Sequence, residues 1–351
     1  MPRESMTPRE RWLAVLSGQK PDRVPLDYRS TPEFTKALLT YLGTDLEGMY
    51  RRLHIDKTVT VAPRYVGPPI PADGDVFGCR YTEVNYGTGS YRECIYGPLA
   101  QYRTLAEIEA NYTWPDPDWW DYSGIVEQIK GKEDLPVQGG GSEPFLTYCH
   151  LRGQQQAYMD LIESPDIVHY CLDKLYGLCY TNTQRIYEQI PGKVLITGVA
   201  EDMGTQESLI FSPAQIREFF FPHMKRMMDL AHEAGAYVMT HSDGAVRAII
   251  PELIEIGMDV LDPVQWRCRG MEREGLKRDF GDRIAFHGAM DNQYTLAFGS
   301  EEEVRQEVRD NIRILGEGGG FILGPCHNIQ PVTPPERIVA MYEEAYASGW
   351  S

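Results

Sequence analysis

The feature that most constrains this chain is a regular alternation that begins near residue 135. Strand-like runs at LPVQGGG, VLITGVAED, AYVMTHSD, MDVLDPVQ, IAFHGAM and FILGPC are separated by helical runs such as SPAQIREFFFPHMKRMMDLAHEAG and SEEEVRQEVRDNIRILGEG. Strands separated by helices of that length lie parallel, because each crossover must carry the chain back before the next strand starts. With DKTVTVA and VPLDYR added, the strand number reaches about eight. The pattern predicts an α/β fold, a (β/α)8 TIM barrel in a single domain spanning residues 1–351. A doubly wound open sheet is the alternative, because alternation alone does not reveal closure.

The first third departs from the alternation. MTPRERWLAVLSGQ reads as a helix with Thr7 as N-cap, Pro8 at the first helical position and Glu10 completing a capping box. TPEFTKALLTYLG and DLEGMYRRLHI add two further N-terminal helices. Residues 78–103 are aromatic and β-prone around YGTGSY, which predicts an inserted hairpin laid over the barrel. The Pro- and Asp-rich WPDPDWWDYSG reads as a surface connection.

Charge and composition exclude several classes of function. Acidic residues outnumber basic ones 51 to 34, a net charge of -17 that repels phosphate backbones and anionic membrane surfaces. Neither a nucleic acid nor a membrane is an expected partner. There is no apolar run of transmembrane length, and the start MPRESMTPRERW lacks a signal-type apolar segment, so a cytoplasmic location is expected. Seven cysteines without a CxxC pair read as reduced thiols rather than a disulfide framework.

In a TIM barrel the site lies at the C-terminal ends of the strands. The polar residues there are Asp27 and Arg29; Glu143; Glu201, Asp202 and Gln206; His241 and Asp243; Asp262 and Gln265; His287 and Asp291; and Cys326, His327 and Asn328. His241 and Asp243 end an apolar strand, and Asp243 suits the N-cap of a helix starting near Ala245. An ionised carboxylate such as Glu201 or Asp202, ending an apolar strand, is costly to bury without a purpose. The glycine runs at 139–141 and 318–320 have neither Walker nor GxGxxG spacing, so they point to close backbone approach or tight turns rather than a nucleotide. Tyr81, Tyr86, Tyr91, Tyr96, Tyr102, Trp114, Trp119 and Trp120 read either as packing or as a wall around an aromatic ligand.

The stretches PDRVPLDY, EDMGTQESLIFSPAQIREFFFPHMKRM, HSDGAVRAIIPELIEIGMDVLDPVQ, FGDRIAFHGAMDNQ and GGGFILGPCHNIQPVTPPE resemble the uroporphyrinogen decarboxylase superfamily over nearly the whole chain. The resemblance is nearer to its corrinoid-dependent methyltransferase branch, because PLDYRSTPEF stands where the decarboxylases carry an Arg- and Gly-rich signature. It implies a methyltransferase that moves a methyl group between a small, methoxylated substrate and a corrinoid (cobalamin). A partner corrinoid protein would carry that cofactor, since no DxHxxG-type motif is present. It also implies a zinc ion on His241, Asp243 and Cys326, with Asp243 where thiol-methylating members have a cysteine. Glu201, Asp202 and His287 are the implied catalytic acids; Asp27, Arg29, Gln206, Gln265 and Asn328 are the implied substrate-binding residues. The family habit implies a homodimer. The alternatives are a decarboxylase acting on a porphyrinogen-like or smaller acid at Asp27 and Arg29, and a barrel that only binds a tetrapyrrole or corrinoid.

Overall fold

Residues 4–350 are described by the computed structural model; residues 1–3 and 351, the ends of the expected domain, lie outside the described residues. In chain order the strands are β1 (Val59–Val61), β2 (Arg64–Tyr65), β3 (Arg80–Asn85), β4 (Ser90–Tyr96), β5 (Trp120–Asp121), β6 (Val137–Ser142), β7 (Ile196–Ala200), β8 (Tyr237–His241), β9 (Val260–Asp262), β10 (Ala285–Met290) and β11 (Phe321–Pro325). Seven of them form one sheet in the order β1-β6-β7-β8-β9-β10-β11, every pairing parallel. The alternation from residue 135 onward is therefore real strand–helix alternation.

The eighth position is filled by the segment around Leu26. Asp27 N donates to Leu323 O at 2.8 Å and Leu323 N to Pro25 O at 2.9 Å, while Asp56 N donates to Leu26 O at 2.8 Å. This segment makes a single parallel bridge rather than a ladder. Pro25 has no N–H to give, which caps the number of bonds the expected strand VPLDYR can form.

Helix Pro8–Leu16 begins with the expected capping box: Glu10 N donates to Thr7 Oγ1 at 3.2 Å and Thr7 N to Glu10 Oε2 at 2.8 Å. It stoppers the bottom of the barrel. Trp12, fully buried, and Val15 pack with Leu195, Ile196, Met239, Val260, Ala285 and Ile322. Ile196, Met239, Val260, Ala285 and Ile322, one from each of β7 to β11, mark the inner face of the sheet, which residues two positions further along each strand share.

Between β6 and β7 the chain forms three helices, Pro144–Arg152, Gln154–Glu163 and Pro165–Gln189. The expected hairpin is β3 and β4, whose residues are all exposed or half-buried. It leans on helix Pro144–Arg152, where Tyr81 Oη lies 3.2 Å from His150 Nδ1. The connection WPDPDWWDYSG contains a 3-10 turn and β5, which pairs with β2 outside the barrel. Among the described residues no helix is long and apolar enough to cross a membrane.

Candidate functional site

Strand β8 ends on His241, two positions beyond Met239 and so on the same inner face. Its Nδ1 lies 3.0 Å from Asp262 Oδ2 at the end of β9. With Nδ1 held by that carboxylate, Nε2 is the ring nitrogen left facing the rim. Nε2 points between two further carboxylates, 3.8 Å from Asp202 Oδ1 and 3.9 Å from Asp243 Oδ1. One ligand atom from each of Asp202, His241 and Asp243 fits within 4.8 Å of the others.

The two aspartates are held in place by neutral donors. Asp243 N donates to Asp202 Oδ1 at 3.0 Å, and Gln265 Nε2 donates to Asp243 Oδ1 at 2.9 Å. Gln265 is fixed in turn by Gly244 N, which donates to its Oε1 at 2.7 Å. The 3-10 turn that follows, Arg247–Ile249, has Val246 at its N-cap and no side-chain cap bond, so the Asp243 carboxylate is not spent on a helix end. Burial and the Asp202 charge push Asp243 up against the opposing pull of His241. Burial also disfavours the charged form of His241, yet the Asp262 bond and the charges of Asp262, Asp243 and Asp202 prevail and push it up to about 9. Burial raises Glu143 nearby, where Asp202 and Asp243 add repulsion. The rim thus concentrates negative charge around one imidazole.

Below the rim lies a closed network. Asp262 accepts from His287 Nδ1 at 2.6 Å and from Arg29 Nη1 at 2.8 Å; His287 Nε2 reaches Asp27 Oδ2 at 3.0 Å, and Arg29 Nε pairs with Asp27 at 3.3 Å. Burial opposes ionisation of Asp262, but Arg29 and His287 hold it well below the usual carboxylate range. His287 is fully buried with a carboxylate on each ring nitrogen, so both nitrogens donate and neither is free to protonate a substrate. Its position is that of a link between Asp27 and Asp262.

Glu201 and Asp202, adjacent in sequence, part company by strand alternation. Thr197 and Val199 face outward, Thr197 bonding Tyr187 on helix Pro165–Gln189. Glu201 follows them outward: it accepts from Tyr176 Oη at 2.8 Å and from Phe145 N at 3.2 Å, in the first turn of helix Pro144–Arg152. Burial drives its pKa up to about 8, against the pull of the Tyr176 and Phe145 bonds.

Cys326 is buried, its Sγ 3.3 Å from Val264 O, and burial raises it well above the usual thiol range. It stands outside the Asp202, His241, Asp243 group. With Asp243, Gln265, Trp266, Phe298 and Asn328 it lines a cavity of about 460 Å³ that opens beside the group. Gln206 is exposed at the rim and bonds Gln293, another lining residue, at 2.9 Å. None of the eight aromatics of the first third lines this cavity. Tyr86, Tyr91 and Tyr96 are exposed on the hairpin, and Trp114 packs on Tyr112 and Tyr170.

The anchor that residue reading left without a role is Asp262, which touches His241, His287 and Arg29 at once. Its only signal in the sequence is a charged residue ending an apolar strand two positions past Val260.

A family model described as uroporphyrinogen decarboxylase (URO-D) matches residues 121–347. The chain is 29% identical to the uroporphyrinogen decarboxylase of Anaeromyxobacter sp. over 71% of its length and 70% of that protein's. It is 24% identical to methylcobamide:CoM methyltransferase MtaA of Methanosarcina barkeri, over 78% of this chain and 77% of that one. A methyltransferase from Methanosarcina mazei superposes with a TM-score of 0.69, covering 98% of this chain and 99% of the other at 17% identity, which shows a shared fold. Inner-face histidine and aspartates at the strand ends of a parallel barrel, together with these likenesses, establish that the chain belongs to the uroporphyrinogen decarboxylase superfamily, whose methyltransferase branch is among its relatives.

Proposed function

We propose that this protein is a divalent-metal-dependent methyltransferase that works with a corrinoid carried by a partner protein. One observation carries the reading: His241 Nε2 and the carboxylates of Asp202 and Asp243 converge, with His241 oriented from behind by Asp262. A carboxylate–imidazole pair aimed at an open position is the arrangement metal-binding histidines adopt. The donor set of one imidazole and two carboxylates suits zinc and also harder divalent ions. Asp202 is the third ligand in this reading, in the place that the family resemblance assigns to Cys326, whose sulfur lies against Val264 O outside the converging three.

When bound, such an ion supplies Lewis acidity that polarises an oxygen or sulfur attached to the methyl group. The protein's own residues set up that chemistry. Asp262 fixes the tautomer and aim of His241, and Gln265 fixes Asp243. Arg29 and His287 keep Asp262 ionised, so the orientation does not relax. The cavity of about 460 Å³ falls in the range of roughly 300–1,000 Å³ found for small-molecule sites, in keeping with a small methyl-bearing substrate. Decarboxylation of a substrate with many carboxylates finds little support: Arg29, the cation of this network, is already paired with Asp27 and Asp262.

The test is metal content by plasma mass spectrometry on tag-free protein, with methyl transfer to or from a cobalamin followed spectrally. About one divalent ion per chain, lost in His241→Ala and Asp243→Ala and kept in Cys326→Ala, is the expected result. A metal-free wild type, or metal retained in His241→Ala, defeats the reading.

A further inference from the structure

Trp266 carries two guanidiniums against its ring: Arg267 Cζ lies 4.3 Å from the ring centroid and Arg273 Cζ 4.2 Å. Arg267 is also spent elsewhere, its Nε on Asp291 at 2.5 Å and its Nη2 on Thr295 Oγ1 at 3.1 Å. Arg273 is not. Among the described residues its recorded hydrogen-bond partner is the neutral Asn311, whose Oδ1 accepts from Nη1 at 2.6 Å. A half-buried guanidinium without a counter-ion is costly, and this one also opens helix Arg273–Phe280, where the backbone dipole disfavours a cation. Burial lowers its pKa against the attraction of Glu307, Glu274 and Asp310.

Arg273 lines a cavity of about 430 Å³, within the size range of small-molecule sites. Trp266, Tyr294 and Phe298 form its apolar wall, and the last two are 57% and 68% exposed, large rings left facing solvent. Glu303, Glu307 and Asp310 line it as well, but each is already engaged. Ser300 N and Oγ donate to Glu303, Asp291 N and Thr295 Oγ1 to Glu307, and Arg313 and Gln306 to Asp310. The unspent charge of the lining is therefore Arg273, whose Nε and Nη2 have no recorded partner among the described residues. Trp266, Arg267 and Phe298 also line the cavity beside His241, so the two spaces share a wall.

We infer that this cavity is a second binding site, for a small monoanionic acid whose carboxylate pairs with Arg273 and whose apolar body lies against Phe298 and Tyr294. A guanidinium fork matches a carboxylate in geometry as well as charge. Asn311, fully buried and anchored to Ala289 O at 2.9 Å, holds that fork in place before a ligand arrives. One unspent cation among three lining carboxylates favours a single negative charge over a phosphate dianion. Neither the His241 group nor a corrinoid enters into this site, so it stands apart from the methyltransferase reading.

The probes are benzoate, its neutral analogue benzyl alcohol, and inorganic phosphate, titrated by calorimetry into wild type, Arg273→Gln and Asp243→Ala, with thermal unfolding recorded for each. Benzoate should bind wild type saturably and Arg273→Gln ~10–100-fold more weakly, the usual worth of a hydrogen bond to a charged group. Benzyl alcohol and phosphate should bind wild type at least ~10-fold more weakly than benzoate. Asp243→Ala, which alters the neighbouring cavity, should bind benzoate as wild type does. No benzoate binding to wild type, equal affinity in Arg273→Gln, loss of binding in Asp243→Ala, or phosphate bound as tightly as benzoate overturns the inference. Should Arg273→Gln unfold, the neutral analogue decides: benzyl alcohol bound by wild type as tightly as benzoate refutes the carboxylate pairing.

Discussion

The two ends of the barrel both gather charged side chains, and they do opposite things with them. At the bottom, Arg11 and Arg23 share Asp56 at 2.5, 2.7 and 3.2 Å; Arg11 also holds Asp22 at 2.7 and 3.0 Å, and Leu26 N donates to Asp56 at 2.8 Å. Every buried charge there has an opposite partner and the backbone joins in. At the top, among the described residues, His241 is the ion-pair partner recorded for Asp202 and Asp243, and at 3.8–3.9 Å it touches neither closely. The bottom cluster is neutralised from within and holds the helix stopper in place. The top cluster gathers carboxylates around one imidazole nitrogen, so an outside cation that displaces the imidazole proton would complete it.

The comparison is most exposed to deletions at the bottom. Asp56→Ala leaves two buried guanidiniums facing each other and should cost about 3–5 kcal/mol, with the unfolding temperature falling accordingly in calorimetry. Trp12→Ala removes the stopper itself, and about 3–5 kcal/mol is expected from the lost burial and the cavity beneath His287. If either change is silent, the bottom is not the structural end.

The rim should behave in reverse. Asp243→Asn relieves like-charge crowding and should leave stability unchanged or raise it by about 0.5–1 kcal/mol while metal is lost, the trade expected where function keeps unfavourable groups together. Asp262→Asn keeps the shape but not the charge behind His241, and roughly 10–100-fold weaker metal binding is expected from such second partners, measured by competition with a chromophoric chelator. Unchanged affinity would remove Asp262 from the account.

A smaller effect concerns Glu201. Its pKa of about 8 in the folded protein exceeds the ordinary 4.5, so the folded state holds a proton that the unfolded chain releases between those values. Stability from this group is therefore present at low pH and declines as pH rises from about 4.5 through 8. Glu201→Gln should match wild type near pH 5 and unfold at a higher temperature near pH 9. The smallest expected change is Cys326→Ala, which should keep its metal.

Element identity was legible because it is local. The 3.6- and 2-residue periods, the Thr7 capping box and the YGTGSY turn each depend on a few neighbouring residues, and the structure contains the matching helices, strands and hairpin. Where a local feature competes with the pattern the reading slips, as at VPLDYR, where Pro25 leaves a bridge instead of a ladder. The rim residues were legible as a set, since charge at the end of an apolar strand is conspicuous.

How that set divides was a matter for the tertiary structure alone. Glu201 and Asp202 look equivalent in sequence, yet the pleat sends one to the helices and the other to the lumen. His287 and His241 are both strand histidines; only one keeps a nitrogen facing the rim, because Asp262 lies between them and Asp27 takes the other side of His287. Sequence by itself thus determined which segments become strands and helices and that polar groups gather on one rim. Which groups meet, which are neutralised and which are left with unpaired charge depends on register across strands far apart in the chain, and only the closed barrel sets that.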